Sequence, residues 1–223
     1  MAVQFDYLAR KGWKPKNEDK DYLITLLKVE FSKAALREAR NKKTSMKKLF
    51  EDAAASVAAE SSTGTWTKVY AGKDSGIPLA GKLRAMAYDL DYKNSTFKVA
   101  YPIKLFELDN ISGLLAGIVG NIAGMKMVSA MRFYDVKFPE KMIKAFPGPA
   151  FGVPGVRKML KKPSGCLVAT VPKPKIGRSD VEQSNLAKEL FTSGHGTYDG
   201  IKDDENLTNS SFNKFDKRCK MIL

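Results

Sequence analysis

Cysteine and histidine are nearly missing from this 223-residue sequence, which holds only Cys166, Cys219 and His195. Two distant cysteines with no partner at ligand spacing exclude a disulfide framework and a zinc site, and they point to a reducing, cytoplasmic setting. Long hydrophobic runs are also missing. The most apolar stretch, ISGLLAGIVGNIAGM (111–125), carries two GxxxG spacings, but Asn121 interrupts it and Lys126 closes it. A membrane span needs about 20 apolar residues, so this stretch predicts a buried helix and loop. The opening MAVQFD has no basic region leading into an apolar run, and no signal peptide is read. Acidic charge is scarce as well: 24 Asp and Glu stand against 38 Lys and Arg, a formal net charge of +14.

That charge would suit a polyanion, because basic clusters gain affinity by releasing counterions from phosphates. The lysines, however, are spread along the chain without interleaved aromatics. The densest group, KAALREARNKKTSMKK (33–48), predicts an exposed helix plus a loop, and it reads as a solvated face rather than a nucleic-acid patch. A hydrophobic fraction of 43% and a charged fraction of 28% are ordinary for a globular protein, and the length allows one large domain or two small ones.

Periodicity divides the chain. Residues 21–31 predict a strand, and 46–61 a helix capped by Thr44 or Ser45. Residues 65–71, 82–90 and 96–101 predict strands separated by Gly, Asp and Asn turns, 111–119 a helix, and 128–136 another strand. This order predicts an α+β sheet with helices on one face, close to a ferredoxin-like plan, over 1–145. The Pro- and Gly-rich FPGPAFGVPG (146–155) marks a junction. Beyond it, 165–171 predicts a buried strand, 179–192 a helix with Ser179 and Glu182 as a capping box, 200–201 a short strand, and 211 onward a helix. Strand, helix, strand, helix begins a parallel α/β layout, but a complete (β/α)8 barrel takes ~250 residues.

Two clusters sit where strands end. In VPKPKIG (171–177), prolines hold Lys173 and Lys175 on an extended turn. Two lysines held close disfavour each other's charge, and a lysine brought toward neutrality serves as a general base. A solvent-exposed basic turn fits the same spacing equally well. In KDDEN (202–206), alternation puts Lys202 and Asp204 on one side, with Glu205 within reach of the same point. Two carboxylates plus waters suit Mg²⁺, although a lysine among acids is ordinarily a salt bridge.

Taken together, VPKPKIG and GIKDDENLTNSSFNKF resemble the first two strand–loop units of the barrel in the ribulose-1,5-bisphosphate carboxylase (RuBisCO) large subunit, in its archaeal form III-like version. AAESSTGTWTKV (58–69), GIVGNIAGMK (117–126), YPIKLFE, FPGPAFGV and VSAMRFYDVKFP follow in that family's order. The resemblance runs over residues 20–223. It implies a ferredoxin-like N-terminal domain (1–145) followed by the first two βα units of a TIM (β/α)8 barrel (146–223), incomplete in this chain.

The resemblance further implies Mg²⁺- and CO₂-dependent carboxylation of ribulose 1,5-bisphosphate to 3-phosphoglycerate, with an oxygenase (monooxygenase) side reaction and a role in nucleotide salvage. Lys202 would become a carbamate and hold Mg²⁺ with Asp204 and Glu205. Lys173 would be an acid/base group and bind substrate, with Lys175 tuning it. Glu60, Thr65, Trp66 and Asn121 would act across a homodimer or higher homo-oligomer interface. Three departures stand out: a longer turn at 193–200 around His195, a longer segment at 33–48, and the absence of the later barrel motifs. They leave room for a complementary C-terminal half as partner, for a RuBisCO-like enolase or isomerase, or for a non-catalytic basic fragment.

Overall fold

The computed structural model describes residues 5–64, 78–193 and 198–222. The chain divides into two compact units, Met1–Pro147 and Gly148–Leu223. The expected strand at 65–71 lies outside the described residues, as do Thr65, Trp66 and His195.

In the first unit a short helix α1 (Glu18–Asp21) leads into β1 (Tyr22–Phe31), whose residues alternate between two faces. Leu23, Leu27 and Val29 point into the main core, while Ile24 joins a small cluster with Tyr88 and Ala100 on the opposite face. β1 is central because β3 (Thr96–Pro102) and β4 (Val128–Lys137) both pair with it antiparallel. β2 (Met86–Asp91) pairs with β3, and the four-stranded sheet runs β2-β3-β1-β4. That order is the ferredoxin-like arrangement the periodicity implies. The β2–β3 turn is set by Asp91, whose Oδ1 accepts from the backbone N–H groups of Lys93 at 2.9 Å and Asn94 at 3.1 Å.

The core face is covered by α3 (Met46–Glu60), which is alanine-rich for a packing reason. Ala53, Ala54, Ala58 and Ala59 are completely buried, and side chains this small let the helix lie close against the sheet. Phe50 fills the far end, edge-on to Phe97 at 5.8 Å. Each large side chain so buried contributes roughly 2–3 kcal/mol. Ser45 caps α3 by accepting from Lys48 N, and Ser32 caps α2 (Lys33–Asn41) by accepting from Ala35 N. α2 buries only Ala35 and Ala39, so the basic segment is an exposed helix. α5 (Ile111–Ile118) starts at an Asn110 cap and adds Leu114 and Ile118 to the core. Gly120 is required beyond it, because a Cβ there would collide with the Ala116 carbonyl oxygen. Among the described residues no helix is long and apolar enough to cross a membrane.

One expected strand in this unit changes. Residues 82–90 were expected to be extended, yet Pro78–Leu83 forms helix α4 and β2 begins at Met86. The ladder to β3 starts at Met86 opposite Ala100, and before it Ala85 N donates to Ser62 Oγ instead. α6 (Glu140–Ala145) closes the unit and buries Met142.

The second unit holds α7 (Gly152–Met159), β5 (Ala169–Thr170), α8 (Asp180–Ser193), β6 (Gly200–Ile201) and α9 (Phe215–Ile222). β5 and β6 pair in parallel, so α8 is the crossover between them. The strand expected over 165–171 shrinks to two residues. Gly165 sits at φ 80°, and the Asp199 carboxylate takes the Val168 N–H at 2.7 Å that a longer ladder would use. The last helix starts at Phe215 rather than 211: the Phe215 N–H that a helix from 211 would give to the Ser211 carbonyl donates to Asn209 Oδ1 at 3.2 Å, and the Asn213 carbonyl accepts from Arg218. A two-stranded parallel pair with one crossover is what the described residues contain; they do not make a barrel.

Candidate active site

The ends of β5 and β6 place the two lysine clusters side by side in the second unit. Lys202 follows β6 directly, and its backbone N–H donates to Thr170 O at 2.9 Å, tying it to the last residue of β5. Lys173 stands on the turn beyond β5, where the Lys173–Pro174 peptide is cis. Arg178 fastens that turn: its guanidinium donates to the carbonyl oxygens of Lys173 and Pro174. Ser179 then starts α8 as a capping box. Glu182 N donates to Ser179 Oγ at 3.3 Å, and Glu182 Oε2 accepts from Ser179 N at 2.8 Å.

Across the two turns, Lys173 Nζ donates to Asp204 Oδ2 at 3.0 Å. Asp204 is 8% exposed, and its other oxygen accepts from Asn206 N at 3.1 Å and Asn206 Nδ2 at 3.0 Å. The Lys173 ammonium first, and the Asn206 N–H second, hold the Asp204 carboxyl at about 2. Next to it, Lys202 Nζ donates to Glu205 Oε2 at 2.9 Å and to Asp203 O at 3.1 Å. The Glu205 carboxylate raises the Lys202 pKa, and in return Lys202 lowers that of Glu205. At its Nζ, Lys173 meets a carboxylate rather than the second lysine; Lys175 is exposed on the same turn.

The third acid of the run is committed elsewhere. Asp203 Oδ2 accepts from Arg218 Nε at 2.6 Å and Oδ1 accepts from Gln183 Nε2 at 3.0 Å. Arg218, 1% exposed, is the largest fully buried side chain described. Sequence reading passed over it because a lone arginine in KFDKRCK looks like one more solvated cation. The legible signal was the surplus acid in KDDEN, which needs a counter-charge of its own.

The cluster is a set of ion pairs, and among the described residues no group of three His, Cys, Asp or Glu side chains converges on one point. The donor chemistry nevertheless fits a hard cation. Asp204 and Glu205 are both biased toward the ionised form, and Lys202 has its amine at Glu205, where an added carboxylate would supply a third oxygen ligand. Glu60 is the half-buried last residue of α3, and Asn121 opens the turn 121–124, exposed; both belong to the first unit.

A ferredoxin-like sheet, followed by a parallel strand–helix–strand unit with lysines and carboxylates interleaved at the carboxyl ends of its strands, defines an α/β class whose chemistry gathers at strand ends. Comparison with known proteins makes this specific. Residues 43–142 match the family model "Ribulose bisphosphate carboxylase large chain, N-terminal domain". The ribulose bisphosphate carboxylase of Thermococcus kodakarensis is 40% identical over 221 residues, covering 98% of this chain and 45% of the relative. That of Archaeoglobus fulgidus is 45% identical over 176 residues, covering 78% of this chain and 39% of the relative. Among solved structures, a dimeric archaeal Rubisco from Hyperthermus butylicus aligns with TM-score 0.73 at 33% identity, over 99% of this chain and 47% of that one. An octameric Rubisco from Pyrococcus horikoshii aligns with TM-score 0.72 at 32% identity, over 99% of this chain and 46% of that one. The chain belongs to the RuBisCO large-chain family, in its archaeal branch, and it spans about half the length of the relatives it matches.

Proposed function

We propose that this chain contributes the Lys173–Lys202 side of a carboxylation site acting on ribulose 1,5-bisphosphate and CO₂. The observation that carries this reading is the interleaving of Lys173 with Asp204 and Lys202 with Glu205, at 3.0 and 2.9 Å, in a chain of this family. Lys202 first releases its proton and leaves Glu205; the neutral amine then adds to CO₂, forming an N–C bond as one C–O π bond opens, and the adduct gives its second N–H proton to water, leaving a carbamate anion. That carbamate with Asp204 and Glu205 would hold Mg²⁺, which when bound supplies polarisation of the substrate carbonyl. The carbamate takes the proton from substrate C3. Lys173 delivers its ammonium proton to the carbanion left by C–C cleavage, and Asp204 aims it. Lys175, exposed on the same turn, tunes Lys173 electrostatically.

The second unit corresponds in this reading to the first two βα units of a TIM barrel, completed by the later portion that the relatives carry. Two of the relatives whose structures align are a dimeric and an octameric Rubisco. By analogy, Glu60, Thr65, Trp66 and Asn121 complete a neighbouring subunit's site in a homo-oligomer. As in the archaeal type, the bisphosphate would come from nucleotide salvage.

The test is fixation of ¹⁴CO₂ into 3-phosphoglycerate with ribulose bisphosphate and Mg²⁺, by the chain together with the complementary C-terminal portion of an archaeal relative. Fixation that disappears in Lys202→Ala supports the reading. No fixation from a folded, assembled complex removes it.

A further inference from the structure

Arg218 lies on α9, and its hydrogen bonds reach the 202–206 turn directly and the Lys173 turn through Asn213. Its Nε donates to Asp203 Oδ2 at 2.6 Å, Nη2 to Leu207 O at 2.8 Å, and Nη1 to Thr208 O at 2.9 Å. Nη1 also donates to the backbone and side-chain oxygens of Asn213, each at 3.3 Å. Asn213, fully buried, passes the connection on: its Nδ2 donates to Arg178 O at 2.9 Å and to Ser179 O at 3.3 Å. Arg178 in turn holds the Lys173 and Pro174 carbonyls. From Asp203 the next residue is Asp204, which accepts from Lys173. The contacts close into a ring: Lys173, Arg178, Asn213, Arg218, Asp203, Asp204 and back to Lys173.

We propose that Arg218 is the positioning residue of this site, locking the Lys173 turn and the 202–206 turn into one register through Asn213 on one side and Asp203 on the other. This rests on the carboxylation reading for the purpose of the site, but not for the ring itself. Two physical consequences follow from its burial. A guanidinium out of water keeps its hydrogen bonds from water's competition, and its planar fork fixes directions that a lysine ammonium cannot. Binding Asp203 also pairs one of three adjacent negative charges with its own cation, so that Asp204 and Glu205 face Lys173 and Lys202 with less mutual repulsion. Gln183 completes the arrangement by donating to the second Asp203 oxygen at 3.0 Å.

The experiment uses the full 223-residue chain and two readouts. The first is hydrogen exchange: Arg218→Lys and Asn213→Ser should accelerate exchange at 173–179 and 202–208 together, while the middle of α8 keeps its protection. The second is Mn²⁺ titration with ¹³CO₂ present, reading metal affinity and the Lys202 carbamate signal. Loss of an outer partner of this kind weakens metal binding by about 10–100-fold, and that range is expected here. Ala187→Gly, buried in α8 and outside the ring, serves as the destabilised control and should lower the unfolding midpoint without moving the Mn²⁺ affinity. Arg218→Lys and Asn213→Ser chains that fold and keep wild-type exchange in both turns overturn the proposal, as does a change in one turn without the other. If Arg218→Lys does not fold, Asn213→Ser decides alone, since it opens the ring without leaving the arginine's charge unpaired. A wild-type chain that binds neither Mn²⁺ nor CO₂ counts against the carboxylation reading, and the exchange pattern still decides the role of Arg218.

Discussion

Replacing Lys173 by Met removes one ammonium and leaves most of the side chain's bulk. In the structure that ammonium is the leading cause of the low Asp204 pKa, ahead of the Asn206 backbone bond. Asp204 is held at about 2 against an ordinary 3.8. Each unit corresponds to a tenfold change in proton affinity, so the site suppresses protonation nearly a hundredfold. Opposite charges at this range account for 1–3 units, and in Lys173→Met the Asp204 carboxyl should rise by about one unit or more. It should stop short of the ordinary value, because the two Asn206 donors at 3.1 and 3.0 Å remain. The sign in wild type follows from linkage. A carboxyl depressed in the folded state binds fewer protons than in the unfolded chain, so its stabilisation is complete above about pH 4 and is lost as pH falls toward 2. In the variant that acid window narrows. The assay is a ¹³C NMR titration of the aspartate carboxyl carbons in metal-free protein, with Asp204→Asn identifying the resonance. An Asp204 pKa still near 2 in Lys173→Met would refute the reasoning, and the Asn206 bonds would then be the cause.

Two faces of one strand should respond differently to truncation. Leu27→Ala, in the core under α3, is expected to cost about 3–5 kcal/mol, whereas Ile24→Ala, in the small cluster with Tyr88, should cost nearer 2 kcal/mol. Urea unfolding followed by the fluorescence of Trp13, which packs edge-on to Tyr88, checks both; equal losses would contradict the one-sided core. Ser179→Ala removes the N-cap of α8 and should lower that helix's stability by about 1 kcal/mol, read from hydrogen exchange along α8.

Much of the first unit was legible because its main core is rich in apolar residues that are continuous in sequence. The apolar, β-branched content of 21–31 marks a strand and the helical spacing in 46–60 marks a helix, and the main core buries residues of both. Residues 78–83 misled because the apolar content of 82–90 does not reveal where pairing with β3 begins. In the second unit the two-residue strands carry too little periodicity to mark their ends. The motifs VPKPKIG and KDDEN were found from residue chemistry and resemblance, both of which are local in sequence.

By itself, the sequence determined the strands near 22–31, 96–102 and 128–137 and the helix near 46–60 in the first unit, the capping box at Ser179 and the family, since each is written in neighbouring residues. Only the tertiary structure decided which carboxylate serves which cation. Lys202 is followed by three acids within three positions, and nothing local says that Asp203 turns inward to Arg218, Asp204 crosses to Lys173, and Glu205 stays with Lys202. That allocation is made by burial. The buried guanidinium cannot be left without an anion and takes Asp203, while Asp204, itself buried, and Glu205 pair with the lysines.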